Sequence, residues 1–209
     1  MEKQTNRCVL IAGGEVDPTL AELIRPTDTV WALDAGIERA KLLGVTPSLC
    51  LGDWDSAPCP EHAEELISLV PEKDDTDTHH AARLVVERGF TEVLLLGGLG
   101  GRLDHTFANL ATLLFLRRRG VQSWAVDQNT AVTVLTSESR CFQKQEGFYF
   151  SVFAMDGTAH GVTLSGVKYP LCEAVLTGAY PIGVSNEILE QTALVSVKNG
   201  NLLVMYARK

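Results

Sequence analysis

What most constrains this chain is an alternation that stops partway. Over residues 1–128, short apolar runs stand at Val9–Ala12, Val30–Leu33, Leu49–Leu51, Val93–Leu96 and Trp124–Val126. Between them lie stretches with helical spacing, Ile37–Leu43, Glu61–Leu69, Thr78–Arg88 and His105–Arg119. In the last of these, Leu110, Leu113, Leu114 and Arg117 fall on one face, and Arg117-Arg-Arg-Gly120 makes a good helix end. Parallel strands need crossover helices, so this pattern predicts a mostly parallel sheet covered on both faces. After residue 128 the segments become short, β-branched and divided by glycine: Ala131–Leu135, Phe148–Ala154, Val162–Leu164, Ala174–Leu176, Ala193–Val197 and Leu202–Tyr206. They predict an antiparallel β-sandwich or partial barrel, with Lys198-Asn-Gly-Asn201 as a type I′ hairpin between the last two. The expected domains are therefore an α/β unit, 1–128, and a β unit, 129–209.

Charge narrows the partners. The net charge of −8 falls entirely in residues 1–128, which hold 12 basic and 20 acidic side chains. Asp53 to Asp77 alone contains nine acids and one base, Lys73. Such a face repels nucleic acid, and it repels a polyphosphate unless divalent cations stand between. No apolar run approaches the ~18–20 residues that span a bilayer. The polar start, Met1 to Arg7, predicts a cytosolic chain without a leader. Five cysteines, at 8, 50, 59, 141 and 172, form no CxxC pair and read as free thiols. Zinc on Cys50, Cys59 and His62 would lack a fourth ligand.

The acids recur where strands of the α/β part should end, the edge at which open α/β sheets bind ligands. Asp34 follows Val30–Leu33. Asp53 and Asp55 follow Leu49-Cys-Leu-Gly52, and Asp74, Asp75 and Asp77 precede a helix. In extended backbone, Asp53 and Asp55 would aim two carboxylates at one spot with Trp54 turned inward, a pair suited to Mg²⁺. The same residues could instead form a turn and a helix cap. In Lys73-Asp-Asp-Thr-Asp77, either Asp75 or Thr76 can cap the helix while Lys73 meets phosphate. Gly97-Gly-Leu-Gly-Gly-Arg-Leu-Asp-His105 joins the best strand to the best helix. Gly98, Gly100 and Gly101 let backbone N–H groups approach a phosphate, the helix start adds partial positive charge, and Arg102 adds a fork. The spacing fits neither the dinucleotide-binding fingerprint nor the Walker loop. His79 and His80 are expected on an exposed first helical turn. In the β part, Gly166–Leu171 and Gly183–Glu187 stand out as polar strand ends.

In this order, the motifs resemble the thiamine pyrophosphokinase family over nearly the whole chain: Asp34-Ala-Gly36, Gly52–Ser56, Lys73–Asp77, Gly97–His105, Gly166–Leu171 and Ser185-Asn-Glu187. The resemblance implies an α/β domain followed by a β-sandwich, working as a homodimer with the active site at the subunit interface. It implies Mg²⁺-dependent transfer of pyrophosphate from ATP to the hydroxyl of thiamine. By the same resemblance, Asp53, Asp55 and Asp77 are metal ligands. Asp34, Lys73, Asp74, Thr76, Gly98, Gly100, Gly101, Arg102 and Asp104 serve the nucleotide and its phosphates, with Arg102 and Asp104 counted in the catalytic set. Tyr169, Ser185 and Asn186 serve thiamine, Tyr169 standing where the family commonly carries tryptophan. Either Asp77 or Asp104 can take the hydroxyl proton. The competing readings are a pyrophosphokinase for a pterin alcohol, a metal-dependent nucleotide-sugar transferase and a non-catalytic nucleotide-binding module.

Overall fold

The computed structural model describes residues 6–54, 63–69 and 75–209, and the chain divides into two compact units, residues 1–128 and 129–209. Unit one contains β1 (Arg7–Ile11), β2 (Thr29–Leu33), α1 (Gly36–Leu42), β3 (Leu49–Gly52), β4 (Glu65–Ser68), α2 (Asp77–Glu87), β5 (Glu92–Leu96), α3 (Leu103–Arg118) and β6 (Gln122–Val126). A 3₁₀ turn, Pro18–Leu23, follows β1 and is capped by the Asp17 carboxylate, which accepts from the Thr19 amide. The sheet order is β4-β3-β2-β1-β5-β6, every pair parallel.

Alternation along the strands separates two apolar faces. Val9, Ile11, Val30, Leu94 and Leu96 pack with Leu20, Ala40 and Leu43 from the 3₁₀ turn and α1. Cys8, Leu10, Trp31, Leu49, Leu51 and Leu95 point the other way and are fully buried or nearly so. Their cover includes α2, which lies against β1, β2 and β3, and α3, which packs on α2 and β6. From β1 the chain winds outward through β2 and β3, then returns to place β5 on the other side of β1. The connections after β1 and β5 lead to opposite sides of the sheet order, to β2 and to β6, and at such a switch point a ligand can enter at the carboxyl ends of the strands.

One expectation fails in this unit and another holds in part. The helix expected over Glu61–Leu69 is not formed by its described residues, 63–69: Glu65–Ser68 is an edge strand in parallel register with Leu49–Gly52. The open edge of β3 supplies hydrogen-bond partners, and Glu65 and Ile67 are half-buried while Leu66 and Ser68 are exposed, a period of two. The inner face of α3 keeps Leu113 and Leu114 as expected, while Leu110 and Arg117 are only half-buried. It comprises Asn109, Thr112, Leu113, Leu114 and Leu116, two of them polar.

Unit two is antiparallel: β7 (Thr130–Thr136), β8 (Ser139–Gln143), β9 (Phe148–Ser165), β10 (Leu171–Thr177), β11 (Thr192–Ser196) and β12 (Asn199–Arg208). One sheet is β7-β12-β9 and the other is β8-β11-β9-β10. The 18-residue β9 serves both, pairing with β12 along its first part and with β10 and β11 along its last. Phe142, Phe150 and Tyr206 form the aromatic centre, with ring centroids 5.1–6.4 Å apart. The Tyr206 hydroxyl donates to the Gln143 carbonyl at 2.6 Å, and burial pushes the phenol up to about 12.

The expected Asn199-Gly200 hairpin does not form. β11 and β12 belong to different sheets, and a type I′ turn needs positive φ at both central residues, whereas here Gly200 has φ 110° and Asn199 does not. The register of β12 on β9 shifts between Asn199 and Asn201, so the Gly is a bulge that carries the chain from one sheet to the other. Among the described residues, no helix is long and apolar enough to cross a membrane.

Candidate active site

A cavity of about 570 Å³ opens at the carboxyl ends of the unit-one strands. Each wall comes from a strand end or a helix start. Gly13 and Gly14 follow β1, Asp34 follows β2 and Asp53 follows β3, while Thr76, Asp77 and Thr78 begin α2. Gly97, Gly98, Gly100, Gly101 and Arg102 follow β5, and His105 and Asn109 lie on α3.

The turns are tight. Gly14 donates its amide to the Gly97 carbonyl at 3.0 Å, and a Cβ at Gly14 would stand 2.4 Å from that oxygen. This contact fastens the β1 loop to the β5 loop at the crevice. Gly100 and Gly101 are both left-handed, at φ 73° and 61°. Among the described residues, the amides of Gly98, Gly100 and Gly101 meet no backbone acceptor. Amides without a backbone acceptor, on a loop that lines the cavity beside a helix start, suit a polyphosphate. Asp34 and Trp54 are left-handed without being glycine, at φ 47° and 61°. Backbone of that kind costs about 1–2 kcal/mol per residue and collects at binding sites.

Asp34, Asp53, Thr76, Asp77, Gly98, Gly100, Gly101 and Arg102 are thus gathered at one cavity. Asp55, Lys73 and Asp74 lie outside the described residues, as do Cys59 and His62. The extended backbone invoked for Asp53 and Asp55 is interrupted by the left-handed Trp54. The Trp54 ring does turn inward, packing against Ala32, Ile37 and Cys50 and donating Nε1–H to Ser68 Oγ at 3.1 Å. Thr76 caps α2, its hydroxyl accepting the His79 amide at 3.2 Å. Asp75 instead pairs with Arg83 at 3.4 Å.

Asp104 is not among the lining residues. It is exposed and forms a two-point fork with Arg102, Nη2 to Oδ2 at 2.7 Å and Nε to Oδ1 at 3.2 Å, while accepting the His105 amide at 2.9 Å. The Arg102 guanidinium first, and that amide second, hold its carboxyl at about 2. So paired, Asp104 stays ionised, accepts protons poorly and fixes the direction of Arg102.

Among the described residues, no three His, Cys, Asp or Glu side chains cluster as a metal cage. Mg²⁺ does not need one, since it takes one or two carboxylates and completes its octahedron with water and phosphate oxygens. Asp53 and Asp77 on one cavity fit that requirement.

His79 and His80 stand on the first turn of α2 as expected, but neither is exposed. His79 is half-buried, its Nδ1 3.1 Å from Thr112 Oγ and its ring edge-on to Phe115 at 4.5 Å. Burial holds it below its ordinary value; Arg83, Arg119 and His80 act in the same direction, while Asp75 opposes them. The folded chain therefore takes up this proton later than the unfolded chain. The stability from the neutral ring is complete above the unfolded value near 6.5 and is lost as pH falls through the folded one. Expected result: in His79→Gln, Tm falls less between pH 7 and pH 5 than in the parent. An equal fall in thermal melts at both pH values would contradict this.

The three predicted thiamine residues lie in unit two. Tyr169 is 59% exposed, with the Lys168 ammonium 5.6 Å from its ring centroid. Ser185 is left-handed at φ 56° and gives its amide to Ser151 Oγ at 3.0 Å. Asn186 is buried; its Oδ1 accepts the amides of Tyr169 at 3.0 Å and Glu187 at 2.9 Å, and its Nδ2 donates to the Tyr169 carbonyl at 2.8 Å. These bonds orient the amide group and hold the Tyr169 backbone in place. Lys168 and Lys209 flank Glu187 and keep its carboxyl at about 2, the Lys209 bond being the larger cause.

Sequence reasoning missed Thr78 and Asn109. The signal for Asn109 was a polar residue in phase with Leu113 and Leu116 on the inner face of α3.

Comparison with known proteins covers both units. Residues 20–125 match the family model described as thiamin pyrophosphokinase, catalytic domain, and residues 126–202 match thiamin pyrophosphokinase, vitamin B1 binding domain. The chain is 26% identical over 206 residues to the thiamine pyrophosphokinase of Bacillus subtilis (strain 168), covering 94% of this chain and 96% of that one. It superposes on the crystal structure of thiamine pyrophosphokinase from Bacillus subtilis with a TM-score of 0.89 at 21% identity, covering 98% and 100% of the two chains. For the thiamin pyrophosphokinase of Geobacillus thermodenitrificans the TM-score is 0.85 at 25% identity, with 97% and 98% covered.

Proposed function

We propose, since this chain belongs to the thiamin pyrophosphokinase family, that its unit-one cavity holds ATP with Mg²⁺ while residues of unit two receive thiamine. The chain transfers pyrophosphate from ATP to the thiamine hydroxyl, giving thiamine diphosphate and AMP. The observation that carries the site is one cavity lined by three carboxylates, a glycine loop at a helix start, and Arg102.

The residues divide the work. Backbone amides of Gly98, Gly100 and Gly101, with the start of α3, receive phosphate oxygens. Arg102, steadied by Asp104, offers a planar fork to them. Asp53 and Asp77 would hold Mg²⁺, which when bound offsets charge on the triphosphate and turns a repulsive acidic rim into an attractive one. The thiamine hydroxyl oxygen bonds to the β-phosphorus, the bond from that phosphorus to the α,β-bridging oxygen breaks, and AMP leaves with that oxygen. Charge moves among oxygens throughout, so positioning and electrostatics do most of the catalysis. Asp77 lines the cavity and is placed to take the hydroxyl proton, whereas Asp104 lies outside the lining and is held at about 2 by Arg102.

In unit two, Tyr169 offers an exposed ring near the backbone that Asn186 orients. A cationic thiazolium suits an aromatic face. Exposed Tyr180, Ile182, Val184 and Leu189 support a homodimer that covers them. Free thiols at Cys8, Cys141 and Cys172 suit the cytosol. The pterin and sugar-nucleotide readings gain nothing, since the second family model is one for vitamin B1 binding.

Expected result: incubated with ATP, Mg²⁺ and thiamine, the chain releases AMP in step with thiamine diphosphate, and EDTA stops it. ADP as the product, or AMP formed with a pterin alcohol but not with thiamine, would overturn the reading.

A further inference from the structure

The inner face of α3 carries two polar residues where packing alone calls for apolar ones. Asn109 is 6% exposed and Thr112 is 1% exposed, and they stand one turn apart on the same stripe as Leu113 and Leu116. A buried amide or hydroxyl destabilises unless it is hydrogen-bonded, so the destination of each bond is informative. Asn109 donates Nδ2–H to the carbonyl of Gly98 at 2.7 Å, reaching back eleven residues to the glycine loop. Thr112 donates its single hydroxyl proton to the Ala108 carbonyl at 3.0 Å. Its oxygen is then left to accept, so the His79 nitrogen 3.1 Å away is the donor and the neutral ring carries its proton on Nδ1. His79 in turn gives its backbone amide to the Thr76 hydroxyl that caps α2.

Both bonds end on segments that line the cavity. Gly98 belongs to the loop facing the phosphates, and Thr76 begins the turn that contains Asp77. We propose that Asn109 and Thr112 are positioning residues: from one stripe of α3 they fix the glycine loop and the first turn of α2 relative to each other across the nucleotide cavity. The stripe therefore acts as a spacer between the amides that receive phosphate and the carboxylate that receives the cation. Thr112 does not line the cavity; Asn109 does, and its amide group is spent on holding the Gly98 carbonyl. This rests on reading the cavity as the ATP site.

The test compares Asn109→Leu, Thr112→Val and Thr112→Ser with the parent. Two quantities are read: the Kd for ATP with Mg²⁺ by calorimetry, and KM for each substrate in the AMP-release assay. Valine keeps the shape of threonine without the hydroxyl, and serine restores the hydroxyl. Expected result: Asn109→Leu and Thr112→Val each raise the Kd and KM for ATP about tenfold, the scale of one buried hydrogen bond left unmade. KM for thiamine stays within twofold, and Thr112→Ser returns to within threefold of the parent. A purely structural role would lower kcat in step with the folded fraction seen by near-UV circular dichroism and leave both KM values unchanged; that pattern overturns the proposal. ATP affinity within twofold of the parent in both Asn109→Leu and Thr112→Val overturns it too. If the parent itself releases no AMP, the functional reading fails, while the calorimetric Kd still decides between spacer and mere packing.

Discussion

Asp77→Asn lowers the rate of AMP release about 10³-fold while Tm moves by less than about 2 °C. Asn keeps the volume of Asp and offers a neutral oxygen, so packing at the start of α2 survives. What is lost is one of two carboxylates able to hold the cation, together with the proton acceptor that Asp104 is badly placed to replace. A loss of about 4 kcal/mol in transition-state stabilisation corresponds to three decades of rate. The helix should withstand the change, because its cap is Thr76, not Asp77. Steady-state turnover and a thermal melt decide it. A residual rate above one tenth of the parent would remove Asp77 from the metal and proton roles, and a collapse of Tm with unchanged specific activity of the folded fraction would make it structural.

Gly97→Ala has the second large effect, this time on folding. Gly97 is left-handed at φ 66°, and an added Cβ would stand 2.5 Å from the carbonyl oxygen of Ala12. Two costs combine: about 1–2 kcal/mol for the backbone conformation and a similar amount for pushing apart the ends of β1 and β5. The sum, about 3 kcal/mol, lowers Tm by about 6–12 °C in a chain of this size. Gly120→Ala separates the two costs. Gly120 has φ 81° with nothing within 4 Å of a Cβ, so it incurs the conformational cost alone. Equal melting shifts for the two variants would show that the contact between the β1 and β5 ends does not govern stability.

The parallel half of the fold was legible because strands buried on both faces must be apolar throughout; Cys8 to Ile11 and Val93 to Leu96 announce themselves. β4 was not legible. Four residues at a sheet edge contain too little alternation to outweigh the helical look of their surroundings, and the edge of β3 decides the outcome. β8 escaped notice for a related reason: only Phe142 is buried among Ser139–Gln143. The cavity acids could be read because every one follows a strand or opens a helix. Asn109 could not be assigned, since its meaning lies in a carbonyl eleven residues away, and a sequence does not show which way a carbonyl points. His79 looked solvent-facing because its partners, Thr112 and Phe115, belong to another helix.

β9 carries a consequence for how unit two comes apart. One strand hydrogen-bonds to β12 at its beginning and to β10 and β11 near its end. Neither sheet can peel away without loosening the ribbon common to both, so the unit has no weak seam along which half of it could open while the other half keeps its order. A lesion anywhere along Phe148–Ser165 is therefore transmitted to the whole of unit two, including the segment that presents Tyr169.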